Sequence, residues 1–178
     1  TDKKSLTVET LSGIKTLELG ISFGKVKSVT VDMGQAVPAE DMTLNIDGET
    51  VVLTPVSVGN PHAVIFVDDI EKAPLTTLGP KIEHHEAFAD GVNVEFVQVI
   101  GNSELRMRVW ERGSGVTMAC GTGACASAVV AVKKKYCAYC EPISVHLDGG
   151  TLKITVTPDN KVTMTGPAEF VYEGETME

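Results

Sequence analysis

Alternation of apolar and polar residues is the dominant pattern along this chain. It runs through Leu6 to Thr10, Thr16 to Leu19, Val26 to Met33, Val51 to Val58, Ala63 to Val67, Val92 to Ile100 and Leu105 to Trp110. A period of two sends successive side chains to opposite faces of a strand, so these segments predict a half-buried and mostly antiparallel sheet. Turn chemistry separates them: Gly101-Asn102-Ser103, Asp148-Gly149-Gly150, and Pro158-Asp159-Asn160 before Val162 to Thr165 each predict a hairpin.

Two segments read as helix. The first spans Leu75 to His85, where Pro80 suits a first turn. The second runs from Gly121 to about Lys135 and is small or apolar on every face, with Val129, Val130 and Val132 as core residues. A helix that is apolar all round must be surrounded by protein, so it is expected to pass through the middle of a sheet-built shell. Lys133, Lys134 and Lys135 then mark its C-terminal end, where cations complement the helix dipole.

An internal repeat accompanies the strands. Ser12 to Leu19, a loop, a strand from Lys25 and then Asp32 to Ala36 resemble Gly149 to Ile154, a turn, Lys161 to Met164 and Thr165 to Ala168. The two hairpins read as copies. The second copy has a helix upstream of it, whereas the same count back from Leu17 runs off the start of the chain.

Composition narrows the classes. The chain has 178 residues, 43% of them hydrophobic and 22% charged, which suits one globular domain or two small duplicated halves. Its formal charge of −9 has the wrong sign for nucleic acid or an anionic membrane surface, so neither partner is expected. The apolar stretch Ala124 to Val132 falls far short of the roughly 20 residues that span a bilayer. Cys120, Cys125, Cys137 and Cys140 read as free thiols, which implies a cytoplasmic setting. Cys137-Ala138-Tyr139-Cys140 has half the spacing of a zinc site with no second pair to follow, so no metal is expected. Glu83 and Glu86, flanking His84-His85, read as a solvated helix end.

The sharpest local chemistry is Met118-Ala119-Cys120-Gly121-Thr122-Gly123-Ala124, a cysteine followed by a glycine-rich turn that opens the buried helix. The first N–H groups of a helix lack intrahelical acceptors and point outward, and the dipole favours a carboxylate or thiolate there. Cys120 is therefore a candidate base, with a thiol pKa expected to be lowered. The alternative for the same residues is a buried structural cysteine beside a flexible turn. Positive potential in so acidic a chain is expected to concentrate at Arg112 and at the helix end after Cys120.

Three further clusters place polar side chains at strand ends: Gly59-Asn60-Pro61-His62, Val92-Asn93-Val94-Glu95-Phe96 and Arg108-Val109-Trp110-Glu111-Arg112-Gly113. With Ala119-Cys120-Gly121-Thr122-Gly123-Ala124-Cys125 they make four linked motifs, in order, through which the chain closely resembles the diaminopimelate epimerase family from Leu6 to about Tyr172. The resemblance implies an α+β fold in which an antiparallel sheet curls around a central buried helix, as one complete half of a pseudo-symmetric pair. It implies a cofactor-independent isomerase that interconverts the LL and meso forms of diaminopimelate in lysine biosynthesis by two-cysteine proton transfer.

By the same resemblance Cys120 matches one of the two catalytic cysteines, and Gly121 and Thr122 match the binding site of the substrate α-carboxylate. Asn60, Asn93 and Arg112 match ligands of the distal carboxylate and ammonium region, and Glu111 and His62 match polar residues near the reacting centre. One base cannot readily remove an α-proton from one face and return a proton to the other, whereas a facing thiolate and thiol can. The implied partner is the small-molecule substrate, with a homodimer as the candidate assembly of the full-length protein.

The first-half cysteine of the family has no counterpart here, and Cys125, Cys137 and Cys140 are not expected to oppose Cys120. The chain is therefore expected to be the C-terminal portion of an epimerase, inactive alone. On this division, residues 1–36 are remnant strands of the N-terminal half, 37–166 the C-terminal half, and 167–178 a segment returning toward the first half. The alternatives are a proline racemase-like or phenazine-biosynthesis-type isomerase of the same superfamily, or a non-catalytic binding domain.

Overall fold

The structure, a computed structural model, describes residues 3–10, 13–175 and 177. Ser12, which opens the first copy of the repeat, lies outside them. The chain begins with β1 (Ser5–Thr10), β2 (Gly13–Ser22), β3 (Lys25–Gln35), β4 (Val37–Pro38), β5 (Met42–Ile46), β6 (Glu49–Ser57) and β7 (Pro61–Phe66). A 3-10 turn at Ile70–Lys72 leads to α1 (Leu75–Glu83), β8 (Asn93–Gly101), β9 (Glu104–Glu111) and β10 (Gly115–Thr117). Then come α2 (Gly121–Lys133), β11 (Ile143–Leu147), β12 (Gly150–Val156) and β13 (Lys161–Pro167).

The strands join in the order β1-β2-β3-β13-β12-β11-β9-β8-β7-β6-β4, with β10 on β9 and β5 on β6. The predicted strand segments and all three predicted hairpins form. The sheet is mixed, however: β7 with β8 and β9 with β11 run parallel. Parallel neighbours need a crossover, and each of these joins encloses one of the two helices. Alternation reports which face a side chain takes but not the direction of the neighbouring strand. The short strands β4, β5 and β10 fall outside the predicted segments, although Met42, Leu44 and Ile46 of β5 do alternate.

Helix α2 lies where its composition requires. Every residue from Gly123 to Val132 is buried, and β4, β6 to β9 and β11 to β13 all pack on it. Its C-terminal lysines reach outward, Lys133 to Glu40 and Lys134 to Asp41 at 2.6 Å. A second apolar cluster joins Leu75 and Ile82 of α1 to Val92, Val94 and Phe96, on the opposite face of β8 from α2. The central strands are thus sandwiched between two helices, with α2 on one side and α1 on the other.

Helix α1 corrects one expectation. Pro80 lies inside the helix, not in its first turn, and Pro74 stands at the N-cap. Pro80 removes one helical donor. The helix persists because buried Leu75 and Ile82 anchor one face and Gly79 lets the Trp110 ring approach, a Cβ there falling 2.7 Å from Trp110 Cβ.

The repeated hairpins are neighbours. Strand β3 pairs with β13, Val31 opposite Met164 and Asp32 opposite Thr163. With Gly34 matched to Gly166, exchanging the two copies converts one of these pairs into the other, so a local two-fold runs between the strands. The Thr30 and Thr165 hydroxyls meet beside it at 2.8 Å. After β13 the amide of Ala168 donates to the Lys27 carbonyl, which lays the start of the C-terminal segment along β3. Among the described residues no helix is long and apolar enough to cross a membrane.

Candidate active site around Cys120

Cys120 is the N-cap of α2, with extended backbone (φ −134°, ψ 108°) that turns its side chain back over the helix end. Its Sγ accepts the Gly123 amide at 3.3 Å and lies 3.6 Å from the Thr122 hydroxyl. This is the geometry in which serine or aspartate normally caps a helix, here occupied by sulfur. The amides of Gly121 and Thr122 are the first two of the helix, where backbone donors have no intrahelical acceptor. Gly123 is required for a local reason: a Cβ there would fall 2.7 Å from Glu95 Oε1 and 3.1 Å from Cys120 Sγ.

A line of hydrogen bonds leads from Cys120 into the core. Asn60 Nδ2 donates to Thr122 Oγ1 at 3.3 Å, and Asn60 Oδ1 lies 2.9 Å from His62 Nε2. His62 Nδ1 in turn lies 2.7 Å from Glu95 Oε1, with both side chains fully buried. The sheet explains the convergence. His62 shares its face of β7 with Val64, and Glu95 shares its face of β8 with Val97; both valines belong to the cluster around α2. Period-two alternation therefore aims His62 and Glu95 at the first turn of α2.

Glu111 ends the α2-facing row of β9 after Leu105, Met107 and Val109, and it accepts a short hydrogen bond from the Thr117 hydroxyl. Arg112 follows the strand, exposed, with its stem against Gly91 and Nη1 donating to the Asp90 carbonyl at 3.1 Å. Buried Asn93 ties the two regions together: its Nδ2 donates to Pro61 O at 2.9 Å and its Oδ1 accepts from the Arg112 amide at 3.0 Å. The structure thus gathers Cys120, Gly121, Thr122, Asn60, His62 and Glu111 around one helix end. Asn93 and Arg112 sit at the adjoining turn.

Two expectations change. The Cys120 thiol is pushed up to about 11, first by burial and then by the Glu95 carboxylate, which outweigh the Thr122 and Gly123 hydrogen bonds. The predicted lowering by the helix end is therefore overturned. The charged side chains that act on Cys120 are Glu95 and Glu111, and both raise it. Finally, Glu83 is not solvated. It is buried at 5% exposure and accepts from the Trp110 indole at 2.6 Å and from the Gly113 amide at 2.7 Å.

Glu83 and Glu95 are the site-region residues that motif reading did not assign. Glu95 had a local signal, a charge at an alternation position flanked by Val94, Phe96 and Val97. Glu83 had none, because its partners lie 27 and 30 positions away in the chain. Among the other thiols, Cys125 faces the core further along α2 with its pKa pushed up to about 12 by burial, Cys137 is buried, and Cys140 is exposed. No cluster of three or more metal-ligating side chains occurs among the described residues.

Comparison with solved structures shows the fold. A hydroxyproline epimerase from Agrobacterium vitis superposes with a TM-score of 0.72 at 16% identity, over 97% of this chain and 60% of that one. A phenazine biosynthesis protein from Bacillus anthracis gives 0.67 at 14% identity, over 93% and 65%. Sequence similarity is far higher elsewhere: 51% identity to the diaminopimelate epimerase of Geobacillus thermodenitrificans and 48% to that of Oceanobacillus iheyensis, each over 96% of this chain. The chain spans 64% and 65% of the length of those two relatives. The family model for diaminopimelate epimerase matches residues 54–171, the region holding all four motifs and the hydrogen-bonded line to Cys120, and the chain belongs to the diaminopimelate epimerase family.

Proposed function

We propose that this chain carries the Cys120 half of an active site that epimerises diaminopimelate without a cofactor. The observation that carries the reading is the capping geometry of Cys120, a sulfur held at a helix N-terminus by the Gly123 amide and the Thr122 hydroxyl. As a resting thiol, Cys120 is the proton donor. A thiolate on the opposite face removes the α-proton, the Cys120 S–H supplies the new one, and Cys120 is left as the thiolate for the reverse direction. The Gly121 and Thr122 amides bind the α-carboxylate and stabilise the enediolate charge that grows on it. Asn60 and Arg112 take the distal carboxylate and ammonium region, Arg112 through its planar fork, while Asn93 secures the turn that carries Arg112.

The opposing thiol belongs to residues outside this chain. Cys125, Cys137 and Cys140 sit along or beyond α2 and cannot face Cys120 across a substrate. The exposed apolar residues Leu6 and Val8 on β1 and Ile21 on β2, which share one face, support the same reading, as a surface for further chain to cover. In this division residues 1–36 belong to the first half, 37–166 form the second, and 167–178 return toward the first. A cytoplasmic setting suits the reduced thiols.

The test is exchange of the substrate α-proton with solvent deuterium, followed by NMR, for the 178-residue chain and for the product of the complete reading frame. Exchange by the longer protein and none by the chain alone is expected. Appreciable turnover by the chain alone overturns the divided site, and exchange of proline in place of diaminopimelate overturns the substrate.

A further inference from the structure

The turn that carries Glu111 and Arg112 is held from a direction that none of the motifs includes. Its flanks are pinned by one buried carboxylate on α1: Glu83 Oε2 accepts the Trp110 indole and Glu83 Oε1 accepts the Gly113 amide. Both oxygens are engaged, the Arg112 guanidinium lies close enough to act on the carboxylate, and Gly91, beside the Glu83 carbonyl, takes the Arg112 stem. Burying a carboxylate is costly unless its lone pairs are filled by strong donors. A surface helix end would need neither the burial nor the two donors.

We propose that Glu83 is a positioning residue of the Cys120 site. It fixes the Trp110-to-Gly113 turn so that Glu111 stays on the Cys120 face of β9 while Arg112 is presented over Gly91. The strand alternates through this turn, with Trp110 toward α1 and Glu111 toward α2, so a rotation that frees the indole also rotates Glu111 away. Asn93 holds the Arg112 amide from the β8 side, and Glu83 supplies the opposing hold. The part of this proposal that concerns Arg112 and turnover rests on the function proposed above; the link from Glu83 to Glu111 does not.

The experiment uses the product of the complete reading frame and follows alkylation of Cys120 against pH, resolved by peptide mass. The titratable groups facing Cys120 are Glu95 on β8, Glu111 on β9 and Cys125 on α2, with His62 behind Glu95. Removing the Glu111 charge by Glu111→Gln lowers the alkylation midpoint by about half a pH unit, and this calibrates the probe. Glu83→Gln, which keeps the shape but cannot accept at both positions, shifts the midpoint the same way. The double variant goes no further than Glu111→Gln, because both changes act through one side chain. A Glu83→Gln midpoint equal to wild type, or a fully additive double variant, overturns the proposal.

Should Glu83→Gln not fold, Trp110→Phe, which removes one donor and keeps the carboxylate, is run through the same cycle with the same criterion. Deuterium exchange of diaminopimelate is measured alongside. For Glu83→Gln a KM raised several-fold through Arg112 is expected, together with a lower kcat through Glu111. Absence of turnover in the wild-type protein would count against the function reading, while the alkylation cycle still decides the role of Glu83.

Discussion

Glu95 and His62 form a fully buried pair on adjacent parallel strands, Oε1 to Nδ1 at 2.7 Å, and the other Glu95 oxygen has no hydrogen-bond partner among the described residues. Beyond His62 the hydrogen bonds continue through Asn60 and Thr122 to Cys120. The pair is therefore both a structural commitment of the core and the inner end of the line that reaches the reactive sulfur.

Removing one partner leaves the other buried without its bond. Glu95→Leu and His62→Leu are each expected to destabilise the fold by about 3 kcal/mol or more, and the double variant by less than their sum. Urea unfolding of the three variants against wild type measures this. Additive losses would show that the two side chains do not depend on one another.

The raised thiols make the fold sensitive to base. A group whose folded pKa lies above its unfolded value stabilises fully below the unfolded value and loses that contribution as pH rises toward the folded one. Cys120 (about 11) and Cys125 (about 12) against 9.0 unfolded place the loss between pH 9 and 12. Melting temperatures across that range are expected to fall less steeply in Cys125→Ala, once its lower starting stability is subtracted.

Gly123→Ala tests the crowding at the helix start. In an open helix this change is favourable by up to about 1 kcal/mol. Here the new Cβ meets Glu95 Oε1 and Cys120 Sγ, so a loss of about 1–3 kcal/mol is expected, with slower alkylation of Cys120. A gain in stability by calorimetry would show that Glu95 moves aside freely.

On the acid side, Asp148 bridges Arg106 and Arg108, and the Arg106 hydrogen bond leads in holding its pKa below 3.8. A depressed carboxylate stabilises above its unfolded pKa and loses that contribution as pH falls through the folded one. Asp148→Asn should therefore show a shallower fall in melting temperature below about pH 4 than wild type. Partial exposure of the group keeps the effect modest.

Much of the fold was legible because it depends on local periodicity. The strand segments, the three hairpins and the all-apolar helix follow from side-chain order within about a dozen residues. The parallel joins did not, because period two carries no information on neighbour direction. Pro80 does not open α1, because Pro74 and the packing of Leu75 and Ile82 set where the helix begins.

The same division holds at the site. Sequence alone determined that Cys120 opens a buried helix and that Asn60, His62, Asn93 and Glu111 stand at strand ends, because glycine-rich turns and alternation are local. Only the tertiary structure decided what surrounds the sulfur. Burial and Glu95 raise the thiol that the helix end alone would lower, since desolvation is a property of everything packed around a group. It also turned Glu83 from a solvated helix end into the clamp on Trp110 and Gly113, a relationship across some thirty residues that no local pattern records.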